Sequence, residues 1–505
     1  MSNKTYLSVE LGSTRIKAIT IDDNFLPVSD GSFGWKSDFR DGIWTYDLAD
    51  AWKGLKDAIS QVENRENVCA MGLSAMMHGY LAFDENWNLL VPFRTWQNTI
   101  TEEAAAKLSA LFNFNIPQRW TIAHLCQAAL NGEEHLQKLA HVTTLAGYIH
   151  YKLTGVNAVG VGEASGIFPI DSEKLDYNAK MIEQFDSLKL LPKSVREYLP
   201  KVMVAGEKAG TLTEEGAALL DNLLPVGIAF CPPEGDAGTG MVATNAVAPK
   251  TGNVSAGTSI FLMAVLERPL KNVYPEIDLV TTPSGNQVAM VHVNNCTNDM
   301  NAWADVIRES AALFGAEPDT GALFTSLYKK SLEGDPDCGG VLVYNYMAGE
   351  AVTHLNEGRP MVIRRPDSKF TLANFVKAQL YSTMAVMRVG LDLMAQENIV
   401  LDSLTGHGGL FKTPVVGQRY MAACCRTPVT CMETAGEGGA YGMALLTAYM
   451  MNNDDTLEGF LSKKVFANAK SSTIAPSAED LDGFNAYMEA YRSALAAEKA
   501  AVDAL

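Results

Sequence analysis

Apolar and polar positions near the start of the chain follow the pattern of paired strands. Residues 6–9 are apolar and β-prone, Gly12, Ser13 and Thr14 interrupt them, and residues 16–21 resume the run before Asp22-Asp23-Asn24. This predicts a strand–turn–strand hairpin. The same unit recurs downstream, where residues 251–256 lead into Gly257-Thr258-Ser259 and the apolar run 260–266. The two turns lie about half a chain length apart, which predicts two domains of related architecture, each opening on a glycine- and hydroxyl-bearing hairpin.

Mixed signals fill the intervals. Residues 69–74 and 80–83 read as strands, and Glu102–Phe112 reads as a helix whose start, with Thr99 three residues before Glu102, fits a capping box. Residues 372–393 show helical periodicity, 401–405 read as a short strand, and Gly406-His407-Gly408-Gly409 breaks that pattern. Gly436-Glu437-Gly438-Gly439 opens a helix-like run over 443–449, and residues 481–504 resemble an exposed closing helix. Alternation of this kind predicts an α/β class. A boundary at Ala248-Pro249 divides the chain into residues 1–248 and 249–505, the latter with a C-terminal helical tail.

Composition narrows the class of function. A chain of 505 residues with 47% hydrophobic and 19% charged residues is expected to form two large cores. A net charge of −18 without a Lys/Arg cluster argues against nucleic acid or an anionic membrane as partner. An anionic nucleotide would need backbone N–H groups, helix N-termini and a metal. Eight cysteines, without CxxC spacing, read as reduced thiols. The N-terminus lacks a basic region followed by a long apolar stretch, and no apolar run is long enough to span a bilayer, so a soluble cytoplasmic protein is expected.

The chemistry-bearing segments follow from these constraints. Gly12-Ser13-Thr14 and Gly257-Thr258-Ser259 offer the close backbone approach and hydroxyls that phosphate binding needs; either alone is also an ordinary tight turn. Cys231-Pro232-Pro233-Glu234-Gly235-Asp236 sets Asp236 before a helix-like stretch, where it reads either as an N-cap or as the base that accepts a proton during phosphoryl transfer. The 406–409 glycines can lie under a nucleoside or simply connect strand to helix. Met76-Met77-His78-Gly79 and Arg94-Thr95-Trp96-Gln97-Asn98 offer an indole face and hydrogen-bonding groups for a polyol, while Met77 also reads as core and His78 as a structural histidine. P-loop, GxGxxG, HExxH and paired CxxC motifs are absent from the sequence.

Taken together, Leu7-Ser8-Val9-Glu10-Leu11-Gly12-Ser13-Thr14-Arg15-Ile16-Lys17-Ala18, Met77-His78-Gly79, Glu234-Gly235-Asp236, Gly257-Thr258-Ser259 and Gly406-His407-Gly408-Gly409 resemble the FGGY carbohydrate kinase family, in that family's order. The Met-His-Gly loop resembles xylulokinases, and the whole chain also resembles a ribulokinase-like group. The resemblance implies two actin-like ATPase (ribonuclease H-like) domains around a central cleft, sugar on the first and ATP mainly on the second. It implies Asp236 as catalytic base. Gly12, Ser13, Thr14 and Lys17, Gly257, Thr258 and Ser259, and Gly408, Gly409 and Phe411 are the implied ATP contacts. Met77, His78, Trp96, Asn98, Glu234 and Asp236 are the implied sugar contacts, with Mg²⁺ near Glu10 and Asp236. Family members usually carry Asp where Glu10 stands and Trp-Asn-Asp where Trp96-Gln97-Asn98 stands.

The expected reaction is ATP-dependent phosphorylation of a ketopentose, D-xylulose to D-xylulose 5-phosphate, with L-ribulose as the alternative. The partners implied are the small sugar and ATP; a homodimer is compatible with the sequence. Two rivals of another class are an actin-like ATPase, for which the sugar-side loops have no purpose, and a catalytically dead sugar sensor, suggested by Glu10 and the altered Trp96-Gln97-Asn98.

Overall fold

The computed structural model describes residues 4–257, 259–433, 438–452 and 454–505. The chain forms two compact units. Unit 1 comprises Met1–Pro249, Asp278–Val288 and Glu437–Ala469; unit 2 comprises Lys250–Ile277, Ala289–Gly436 and Lys470–Leu505. The chain therefore leaves unit 1 after Pro249 and returns to it twice.

Unit 1 is built on a sheet whose central strand, β1 (Thr5–Leu11), is covered on both faces: Leu7, Val9 and Leu11 line one, and Tyr6, Ser8 and Glu10 the other. β2 (Arg15–Ile21) pairs antiparallel with β1, and β3 (Pro27–Gly34) antiparallel with β2. A small hairpin, β4 (Asp38–Arg40) and β5 (Ile43–Thr45), follows. Its turn residues Asp41 and Gly42 both have positive φ, which matches the right-handed twist of a tight hairpin. On the other side of β1, β6 (Val68–Ala75) runs parallel, and β7 (Ala229–Phe230) and β8 (Glu234–Gly235) run parallel to β6. The helix Gly438–Met451, apolar all round, is buried against β1, β2, β6 and the helix Asp236–Ala243. Gly72 and Gly442 permit this approach: a side chain on Gly72 would strike Thr447 and Met443, and one on Gly442 would strike the backbone of Thr239. Leu7, Val9 and Leu11 are fully buried, each contributing about 1.5–3 kcal/mol.

Unit 2 repeats the plan. β9 (Thr251–Ala256) pairs antiparallel with β10 (Ile260–Val265), which neighbours β11 (Gln287–Val293). β12 (Ser403–Gly408) runs parallel to β9, β13 (Val429–Met432) parallel to β12, and β14 (Ser471–Ile474) closes the edge antiparallel. The order β13–β12–β9–β10–β11 thus matches β7–β6–β1–β2–β3. The helix Leu372–Gln396 buries Arg388, whose guanidinium pairs with Asp392 and donates to the Cys424 carbonyl and Asn485.

Three local expectations change. The strand expected at 401–405 runs on as β12 through Gly406 to Gly408, because glycine backbone still pairs with β9. The helix Glu102–Phe112 forms as expected, but its N-cap is Thr101 instead of Thr99, and the Thr101 hydroxyl donates to the Gln118 carbonyl instead of capping. The closing helix, Ala478–Ala504, is not simply exposed: Phe484, Tyr487, Met488 and Tyr491, spaced along one face, are buried. Among the described residues no helix is long and apolar enough to cross a membrane.

Candidate active site

In unit 1 the C-terminal ends of β1, β6 and β8 bring together most of the groups singled out in the first half of the chain. Asp236 is the first residue of its helix, and Gly235 occupies the N-cap position. One Asp236 oxygen, Oδ1, accepts hydrogen bonds from the Met77 and Ala237 amides, each at 3.0 Å. Loss of water raises the carboxyl above its ordinary value, and the two amides pull it partly back. The N-cap reading of Asp236 therefore gives way to a carboxylate tied to the Met77-His78-Gly79 loop.

Glu10 sits at the end of β1, across from Lys17 on β2. The Ala440 amide donates to its Oε2 at 3.1 Å, and a side chain on Gly439 would collide with its carboxylate. Burial, reinforced by the charge of Asp236, pushes Glu10 up to about 7, against the Ala440 amide and the Lys17 charge. The turn beyond Glu10 is clamped through its carbonyls: the Trp35 indole donates to Gly12 O at 2.6 Å, the Trp35 amide to Thr14 O at 3.2 Å, and the Tyr46 hydroxyl to Ser13 O at 2.7 Å.

Glu234 is buried, with Gly162 N–H donating to Oε1 at 3.3 Å and Glu163 N–H to Oε2 at 2.8 Å. Gly160 and Gly162 have no room for a side chain because that carboxyl occupies it. Burial pushes Glu234 up to about 8. Glu163, which the sequence reading passed over, is fully buried beside it. Thr144's hydroxyl eases its charge without meeting hydrogen-bond geometry, and neither carboxyl oxygen has a hydrogen-bond donor among the described residues. Burial, then the charges of Glu234 and Asp236, holds Glu163 well above the usual carboxylate range. Its signal was present: Gly162-Glu163-Ala164 is the same acid-among-small-residues pattern as Glu234-Gly235-Asp236.

In the loop after β6, His78 and Gly79 both have positive φ, and the His78 ring stacks on Trp120 at 6.2 Å with Nδ1 3.4 Å from the Gly166 carbonyl. The backbone of Tyr80, next along, bridges to that of Arg94, and Arg94 forms an ion pair with Glu133. This ties the Met-His-Gly loop to the segment carrying Trp96 and Asn98. Trp96 is 37% exposed, whereas Asn98 is buried and its amide is spent on backbone groups of Trp44 and Thr95. Arg119, ion-paired with Asp278, accepts a hydrogen bond from the Gly79 amide at its backbone carbonyl and is a second group the sequence reading did not single out.

In unit 2 the second turn and the glycine segment meet. Gly257 N–H donates to Ser259 O at 2.9 Å and Thr297 to Gly257 O at 3.1 Å; Thr258 lies outside the described residues, as do Gly436 and Glu437. Ala256, just before the turn, pairs with Gly408, which has φ 97° and whose Cβ would strike the Ala256 carbonyl. Gly409 follows, and the Phe411 ring fills the space left by Gly406 and Gly417. Among the described residues no group of three or more His, Cys, Asp or Glu is arranged to hold a metal, so a divalent cation would rest on few side chains and on phosphate oxygens.

A duplicated five-strand order with acids and glycine-hydroxyl turns at the strand ends defines an α/β phosphotransferase of actin-like ATPase fold. The sequence matches the N-terminal domain of the FGGY family of carbohydrate kinases over residues 5–231 and its C-terminal domain over residues 252–451. The chain belongs to the FGGY family of carbohydrate kinases and is a sugar kinase, an enzyme of a family that takes its phosphoryl group from ATP. It is 22% identical to the xylulose kinase of Haemophilus influenzae, over 95% of this chain and 98% of that protein. The fold is similar to that of a ligand-bound xylulose kinase from Lactobacillus acidophilus (TM-score 0.82, 16% identity, 98% of this chain and 99% of that one). It is equally similar to that of a gluconate kinase from the same organism (TM-score 0.82, 15% identity, 98% of each).

Proposed function

We propose that this chain phosphorylates a ketopentose, D-xylulose to D-xylulose 5-phosphate, with ATP and Mg²⁺. The observation that supports this most directly is the pair of amide bonds to Asp236 Oδ1, one from Met77, which fasten the candidate base to the Met77-His78-Gly79 loop. Residues 1–248 supply the sugar contacts, with Met77, His78 and Trp96 facing the ketose and Glu234 backing the base. Residues 249–505 supply Gly257, Thr258, Ser259, Gly408, Gly409 and Phe411 for the nucleotide, and Gly12, Ser13, Thr14 and Lys17 supply the remaining phosphate contacts.

Asp236 accepts the proton of the sugar's primary hydroxyl as that oxygen bonds to the γ-phosphorus and the bond from phosphorus to the β,γ-bridging oxygen breaks, releasing ADP. Amides and hydroxyls of the turns stabilise the equatorial oxygens, as fixed dipoles do best where water is excluded. Glu10 and Asp236 fit a Mg²⁺ ion: the charge of Asp236 raises the proton affinity of Glu10, a repulsion that a dication would relieve, and when bound it would neutralise charge on the phosphates. The eight cysteines, all unpaired, suit work in a reducing cytoplasm.

L-Ribulose is the second reading, carried by the resemblance of the chain as a whole to a ribulokinase-like group. ADP release measured side by side on D-xylulose, L-ribulose, L-fuculose and gluconate decides. A kcat/KM for D-xylulose at least tenfold above the others is expected, and a clear preference for any other sugar would refute the assignment.

A further inference from the structure

The segment between β3 and the helix Leu48–Ser60 touches two parts of unit 1 that the proposed reaction uses. At one end Trp35 and Tyr46, with ring centroids 4.4 Å apart, donate to the carbonyls of Gly12 and Ser13. At the other end the β4–β5 hairpin, carrying the ring pair Phe39 and Trp44 with centroids 5.0 Å apart, presents the edge of β5 to residues 95–98. Asn98 meets that edge as a strand neighbour would. Its Oδ1 accepts from Trp44 N at 2.8 Å, and its Nδ2 donates to Trp44 O at 2.8 Å and to Thr95 O at 3.0 Å. The Thr95 amide also donates to Trp44 O, at 3.2 Å.

A carboxamide has two donor hydrogens and one acceptor oxygen; both donors are used and the oxygen already accepts the Trp44 amide. No donor is left on Asn98 for a sugar hydroxyl. Its residue is 3% exposed, which agrees with a group sealed inside its own contacts.

We propose that Asn98 is a positioning residue for phosphoryl transfer: by gripping the Trp44 backbone it holds residues 35–46 as a strap that fixes the turn 12–14 and the sugar-side segment 95–98 in one geometry. This rests on the reading of unit 1 as the sugar-binding unit. A direct sugar ligand and a strap latch lose the same activity on mutation but differ in the protein without ligand. In the strap, loosening either end loosens the other.

Asn98→Asp keeps the shape and the acceptor but turns the donor into a second oxygen facing the Trp44 and Thr95 carbonyls. Tyr46→Phe removes only the hydroxyl at the far end, and carries the test if the first variant does not fold. Hydrogen exchange of the full-length protein without sugar or ATP is read by mass spectrometry in peptides covering 10–16 and 36–46. Either variant is expected to speed exchange in both peptides, and Asn98→Asp to lower kcat and raise the sugar KM together, about tenfold in kcat/KM. Faster exchange confined to the mutated end, unchanged kcat, or a raised sugar KM with unchanged exchange, the mark of a direct contact, would each overturn the strap. Because exchange is read without substrate, a failure of the ketopentose assignment leaves this arm of the test intact.

Discussion

Units 1 and 2 share a strand order and differ in what stands at the strand ends. Counting back from the last paired positions, Leu11 opposite Ala75 and Ala256 opposite Gly408, Glu10 takes the place in unit 1 that Ser255 takes in unit 2. Unit 1 then adds Asp236, Glu234 and Glu163, all with raised proton affinity. The corresponding ends in unit 2 carry Ser255 and His407, a neutral imidazole held below its ordinary value by burial. The scaffold repeats, and the side chains at its strand ends decide whether a unit gathers buried carboxyls or uncharged groups.

Substitutions that remove this asymmetry have graded effects. Asp236→Asn should cost the most, on the order of 10²–10⁴ in kcat, while calorimetry still detects sugar and ATP binding. Gly408→Ala strikes unit 2 instead: a left-handed residue whose new Cβ meets the Ala256 carbonyl should raise the KM for ATP about tenfold or more and leave the sugar KM unchanged.

Glu10→Gln tests the charge on the unit 1 side. The Glu10 carboxyl rises from 4.5 to about 7 on folding, so the native state holds an extra proton between those values and stability falls as pH rises through that window. The Gln variant should lose this fall in melting temperature, and steady-state titration should show a raised Mg²⁺ requirement. The smallest effect belongs to Glu234→Gln. With its carboxyl at about 8, the native protein carries it protonated at neutral pH, and the window of falling stability runs from 4.5 to about 8. The variant should melt below the parent near pH 5, because its amide nitrogen cannot accept the Gly162 or Glu163 N–H. The gap should narrow by pH 8 as the parent loses its own margin.

Much of this was legible in the chain. Both glycine-hydroxyl hairpins and the helix Glu102–Phe112 follow from short-range periodicity, which sequence records directly. What was not legible depends on distant partners. Gly438–Met451, equally apolar on every side, gives no hint of the strands it covers. Glycine signals misled at Gly406-His407-Gly408, because a strand paired with β9 tolerates them. Asn98 reads as a polar group available to a ligand, yet its amide completes a strand edge 54 residues away. Glu163 and the buried face at Phe484, Tyr487, Met488 and Tyr491 were readable and were passed over: the first repeats the 234–236 pattern, the second has helical spacing.

The return of residues 438–451 to unit 1 bears on how the protein is made. On a translating ribosome β1 and β6 emerge hundreds of residues before the helix that covers them. Their apolar face waits through the synthesis of nearly all of unit 2, at about 5–20 residues per second. A nascent chain halted before Gly438 is thus a natural chaperone client, and a gene split at residue 249 would express a first half that aggregates unless the missing helix is supplied in trans.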